Sequence, residues 1–225
     1  MAEAPDLNSN YAYVVNDQGI YFRSNVPVSH EAVRRARYIV NQMLSHQPIF
    51  RERMIKAGFA VDIIGINQVV SDLPHYTSYR DKKTMDGRDV DTGVRGFGDS
   101  QVCSVGEENL LCLPVQKYPS ENILVHEFAH SIMQSMDKEE LLKIYAAFDN
   151  AVSSNLYQPN QYMLANVDEY WAEGVQAWFN ASTRIDVNNG INTREKIQIH
   201  DFMLTLLLKE YFGLTEIYKS PGCSY

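Results

Sequence analysis

Apolar residues recur along the chain with two periods, and the order of those periods predicts an α+β protein in two parts. In the first part, Tyr11 to Val15 and Ile20 to Phe22 read as strands flanking Asn-Asp-Gln-Gly, the residue types that a tight hairpin turn requires. Ser29 is placed to cap a helix in which Ala32, Val33, Ala36, Ile39, Val40, Met43 and Leu44 follow the helical period. A short helix from Pro48 to Ala57 leads into Phe59 to Ile66, whose β-branched content predicts a buried strand. Gln101 to Val105 and Asn109 to Leu113 form a second expected hairpin, turning at Glu107 and Glu108. Ser71 to Ser100 has little periodicity and is rich in Asp, Gly, Thr and Arg. A segment of that kind reads either as a functional or mobile loop or as a disordered surface excursion.

The second part is helical. Behind Ser120, a helix led by Glu121 can bury Ile123, Leu124, Phe128, Ile132 and Met133 on one side, with its acidic residue favourably in the first turn. Lys138 to Asn150 follows, with Leu141, Leu142, Ile144, Tyr145 and Phe148 apolar. Tyr157 to Asn166 is a connection, Asn166 to Asn180 an amphipathic helix, and Thr193 to Phe212 a closing helix with Leu204, Leu206, Leu207 and Leu208. The expected organisation is one domain over 1–225, with a mixed lobe at about 11–136 that includes the Glu121-led helix and a helical lobe at about 137–225.

Two of these helices carry the candidate chemistry. His126-Glu127-Phe128-Ala129-His130 puts both imidazoles on one helical face, one turn apart, with a carboxylate between them. Thirty-nine residues after His130, Glu169 begins Glu-Tyr-Trp-Ala-Glu173, a second pair of metal-binding side chains at helical spacing. A structural zinc site takes four protein ligands, often thiolates, whereas a catalytic site takes three and keeps a position open, which two histidines and one glutamate would satisfy. Spacing alone does not choose between Glu169 and Glu173. Asp168, about 100° around the helix from Glu169, reads as a solvated charge or cap. His30, His46, His75 and His200 have no partner at ligand spacing.

Composition narrows the partners. A net charge of -8 with no long Lys/Arg cluster argues against nucleic acid and anionic membranes, and no segment is apolar enough to span a bilayer. Met1 to Asn10 lacks the apolar core of a signal peptide, which points to the cytoplasm by default or to secretion if this is a processed form. The three cysteines match no metal-binding spacing. The second expected hairpin would place Cys103 opposite Cys112, as a disulfide or as two buried thiols.

His126 to His130, the later Glu169 to Glu173, and Tyr162 seven residues ahead of Glu169 together resemble the gluzincin metallopeptidases of the anthrax lethal factor type, which include the clostridial Pro-Pro endopeptidases. The resemblance spans roughly 109–180 and implies a zincin-like fold with the HExxH helix between the two lobes. It implies one catalytic zinc ion on His126, His130 and Glu169, with Glu173 behind them accepting a histidine N–H. It also implies Glu127 as the general base of metal-activated peptide hydrolysis and Tyr162 as donor to the developing oxyanion. An edge strand above the zinc helix would take the peptide or protein substrate. Glu108 to Pro114, with Asn109, Leu110 and Leu111 at its centre, is the expected edge, and a buried central strand is the competing reading. The same residues would also serve a zinc hydrolase of a non-peptide amide or small biosynthetic substrate, or survive in a catalytically silent toxin-like module. Cleavage preference and oligomeric state are not written in these motifs.

Overall fold

A two-residue turn at Gln18 and Gly19, both with left-handed backbone, joins β1 (Tyr13–Asp17) to β2 (Ile20–Ser24) as an antiparallel hairpin. The computed structural model describes residues 8–84 and 86–225. From β2 the chain runs through α1 (His30–Met43), capped by Ser29, and α2 (Pro48–Lys56) to β3 (Ala60–Ile64), parallel to β2. Every residue of β3 is buried, as a strand between two parallel neighbours requires. Its one charge, Asp62, is held by Arg23 at 2.7 Å and by the Tyr11 hydroxyl at 2.5 Å.

The segment 71–100 is ordered by small local devices. Two 3₁₀ turns, Val70–Asp72 and Pro74–Tyr79, precede α3 (Val90–Gly93) and β4 (Gly96–Gly98). Val70, Leu73, Tyr76, Val90 and Val94 gather with Ile64 and Val102 into a second, smaller apolar cluster. The aspartates that gave the segment its polar look accept backbone N–H groups: Asp72 from Val69, Asp89 from Thr92, Asp99 from Gln101 and Val102. The disordered reading is therefore corrected for the described residues.

The second expected hairpin does not form. β5 (Val102–Gly106) pairs with the preceding β4, completing a five-stranded mixed sheet of order β1-β2-β3-β5-β4. Glu107 and Glu108 are buried rather than at a turn tip, Glu107 accepting from the Ser29 N–H and Glu108 paired with Arg95. They open α4 (Glu107–Leu110), so Asn109 and Leu110 are helical, Leu111 caps that helix, and none belongs to an edge or central strand. Cys112 is consequently carried away from Cys103. Cys103 is free and buried, and Cys112 bonds to Cys223.

The strand at the sheet edge is β4. Arg95 and Asp99 hydrogen-bond towards β5, so the alternation of an antiparallel ladder turns the backbones of Gly96 and Gly98 to the outer edge. Against the same sheet lies α5 (Ile123–Gln134), which starts two residues later than expected, at the Asn122 cap, so that Glu121 lies outside its first turn. A Cβ on Gly98 would stand 1.9 Å from the Glu127 carbonyl oxygen, so only glycine lets the edge strand approach the helix this closely. α6 (Lys138–Ser153) and α7 (Val167–Trp178, capped by Asn166) follow. The closing helix is two: α8 (Arg194–His200) and α9 (Phe202–Phe212). Asp201 divides them by capping α9 through the Leu204 N–H while accepting the hydroxyls of Tyr157 and Tyr170. One apolar cluster runs through both lobes, joining Phe22, Val61 and Phe128 to Trp171, Trp178 and Phe212.

Candidate metal centre

Helical spacing in α5 stacks the His126 and His130 rings edge to face, 4.8 Å between centroids, with their Nε2 atoms 3.2 Å apart. The first turn of α7 delivers Glu169, whose Oε2 lies 3.1 Å from His126 Nε2 and 3.7 Å from His130 Nε2. Trp171 fixes the two helices in register: it is fully buried, and its indole N–H donates to the Ala129 carbonyl at 2.9 Å, between the two histidines in sequence.

The three atoms fit a metal ion. Ligand atoms about 2.0–2.2 Å from a tetrahedral zinc lie roughly 3.3–3.5 Å apart, close to the separations found here. Glu169 Oε2 is buried without a hydrogen-bond partner, and two imidazole nitrogens face each other and that oxygen across the same small space. Among the described residues, His126, His130 and Glu169 are the His/Cys/Asp/Glu group so arranged. No thiolate joins them.

The local field is that of a cation site. Burial disfavours charge on both His126 and Glu169, yet the close approach and mutual attraction of the two groups outweigh it, holding the Glu169 carboxyl down at about 2 and His126 up at about 10. Burial and the neighbouring His126 charge push His130 down to about 4. Burial raises Glu127 and Glu173 to about 7 each. A dication between the ligand atoms would supply the positive charge that a proton on His126 otherwise provides.

Around this centre the structure places the other predicted residues unevenly. Glu127 extends beneath β4, its Cγ 3.0 Å from where a Cβ of Gly96 would be. Tyr162 stands in a 3₁₀ turn (Tyr162–Leu164) just before α7 and faces the Glu169 carboxylate. Burial and that negative charge raise its phenol far above the usual range, so it holds its proton and can donate. Glu173 Oε1 is 3.9 Å from His126 Nδ1. Asp168 is exposed in the first turn of α7, its carboxyl raised by desolvation and the Glu169 charge. Asn109 supports the site from outside: its side chain accepts from the Ile123 N–H at 2.9 Å and donates to the Glu121 carbonyl, anchoring the first turn of α5.

Two residues escaped the sequence reading. Gln176 is buried, and its Oε1 lies 3.3 Å from His126 Nδ1, closer than Glu173. The signal existed, because 169, 173 and 176 share one helical face. Arg88 pairs with Asp86 at 2.7 Å and sets its charge beside Tyr162 and Glu127. It lies in the aperiodic segment, where no sequence signal pointed to it.

A five-stranded mixed sheet with the His-Glu-x-x-His helix packed on it and a helical lobe behind define a zincin-like α+β fold. The chain is similar in structure to the PRO-PRO endopeptidase (PPEP-2) from Paenibacillus alvei, with a TM-score of 0.57 and 12% identity over 85% of this chain and 96% of that one. No family model matches the chain. No curated protein matches it in sequence.

Proposed function

We propose that the protein is a zinc-dependent endopeptidase of the gluzincin, lethal-factor-like type. The observation that carries this is the orphaned Glu169 Oε2, buried within 3.1 and 3.7 Å of two imidazole Nε2 atoms. His126, His130 and Glu169 would hold the ion, and a group of three without a thiolate among the described residues supports a catalytic rather than structural zinc. Bound there, zinc supplies a Lewis acid that lowers the pKa of a coordinated water to about 7 and polarises a carbonyl. Glu127, adjacent in sequence to the first ligand, takes a proton from the attacking water and returns it to the leaving amine. Tyr162 donates its phenol hydrogen to the oxyanion that forms on the substrate carbonyl. Gln176 and Glu173 face His126 Nδ1, which leaves Nε2 free to ligate.

The substrate reading rests on β4. Its outward N–H and C=O groups at Gly96 and Gly98 lie over Glu127 and can accept an extended peptide as an added strand. The Cys112–Cys223 disulfide supports an extracytoplasmic setting for that substrate.

Metal analysis after exhaustive dialysis tests the cofactor: about one zinc per chain is expected, with peptide cleavage lost on chelation and restored by zinc. A chain that binds no zinc, or cleaves without it, would defeat the proposal. Tyr162→Phe should lower kcat by about 10²–10³-fold and leave zinc content unchanged, the size of one lost oxyanion donor. Full turnover in that variant would leave Tyr162 without a catalytic role.

A further inference from the structure

The Cys112–Cys223 bond joins the loop after α4 to the segment 220–225 across 111 residues. Pro221, Gly222 and Ser224 in that segment are exposed, and only Tyr225 inserts its side chain into the protein. Its hydroxyl accepts from the Asn122 side-chain amide at 3.1 Å. Asn122 caps α5 through the Val125 N–H, and its own carbonyl accepts from Gln176 Nε2 at 3.2 Å. Gln176 Oε1 is in turn 3.3 Å from His126 Nδ1. A continuous chain of polar contacts therefore runs from a disulfide-fastened surface segment to a ligand nitrogen's own ring. Apart from the disulfide, the segment is held by the buried Tyr225 ring, which Lys219 Nζ approaches to 5.7 Å, by its hydroxyl on Asn122, and by the Ser224 hydroxyl on the Pro119 carbonyl.

We propose that formation of Cys112–Cys223 completes the metal centre: the bond straps Tyr225 onto Asn122, which steadies Gln176 and through it the orientation of His126. The inference rests on the metal reading of His126, His130 and Glu169. Gln176 and Tyr225 are positioning residues, since neither touches substrate. Bond formation removes two electrons and two protons from the two thiols, and both go to the disulfide of an oxidising dithiol partner, which becomes a dithiol. In a reducing compartment the strap is open and the zinc loosely held. Oxidation closes it and the site matures, which fits a peptidase kept weak until it leaves the cell.

Zinc release from the zinc-loaded chain 1–225 to a chromogenic chelator tests this without reference to activity. The oxidised protein is compared with protein reduced by a trialkylphosphine, which delivers two electrons and takes up the oxygen of a water. Free thiols are counted, and circular dichroism confirms that both forms are folded. Reduction is expected to speed release by about tenfold, the low end for loss of support behind a metal ligand. Cys112→Ser/Cys223→Ser should release zinc at the reduced rate and ignore the phosphine. Tyr225→Phe, with the disulfide intact, should move in the same direction, and it decides the matter if the reduced form unfolds. Equal release from oxidised and reduced protein, or an unchanged rate in Tyr225→Phe, would overturn the strap while leaving the zinc site standing. A chain that binds no zinc in either form would instead remove the metal reading, and the strap with it.

Discussion

Replacing Glu127 by Ala should leave about one zinc per chain and lower kcat/KM for peptide cleavage by about 10³–10⁴-fold, the upper range for a general base. The two halves of that result have separate physical origins. Zinc is retained because the ligand atoms sit on His126, His130 and Glu169, none of which leans on the Glu127 side chain. Activity is lost because Glu127 is the carboxyl beneath β4, where an added peptide strand would present its carbonyl, and its removal leaves the attacking water without a base. Inductively coupled plasma analysis and steady-state kinetics on the same sample read both halves. Cleavage within tenfold of wild type would move the base elsewhere.

Glu169→Gln and Glu173→Gln should separate just as clearly. Both carboxylates lie on one face of α7, Glu169 partly and Glu173 fully buried, and spacing alone does not rank them. Glu169 Oε2 converges with the two Nε2 atoms, whereas Glu173 Oε1 faces the opposite ring nitrogen of His126 at 3.9 Å and shares that face with Gln176. Loss of the Glu169 charge removes a ligand and should weaken zinc binding well beyond the roughly 10–100-fold typical of a partner behind a ligand. Glu173→Gln should stay within that range, because Gln176 still faces Nδ1 and Asn188 can bond the new amide. Competition with a chelator of known zinc affinity measures both. An empty site in Glu173→Gln beside a filled one in Glu169→Gln would reverse the two roles.

The helices and the motif were legible because they depend on local periodicity. His126, His130 and Glu169 lie on long amphipathic helices whose buried faces are written every three or four residues, so their convergence follows once α5 and α7 pack. The edge strand was not legible, since Gly96-Phe97-Gly98 has no side-chain alternation to read and owes its place to how closely its glycines approach Glu127. Residues 109–113 misled for the opposite reason. Their apolar run suits a strand, but burial of Glu107 and Glu108 against Ser29 and Arg95 turns the chain into α4. Cysteine pairing across 111 residues is set by tertiary packing and leaves no local trace. Gln176 lay on a face already identified and was missed because amides, unlike carboxylates, are not sought behind a metal site.

The most direct measurement is digestion of a broad peptide library by the zinc-loaded, disulfide-intact protein, with products identified by mass spectrometry. The account predicts internal cleavages, clustered in sequence preference, that disappear on chelation, return with zinc and are absent from the Glu127→Ala digest. A library left intact by protein shown to carry one zinc per chain would contradict the assignment as an endopeptidase.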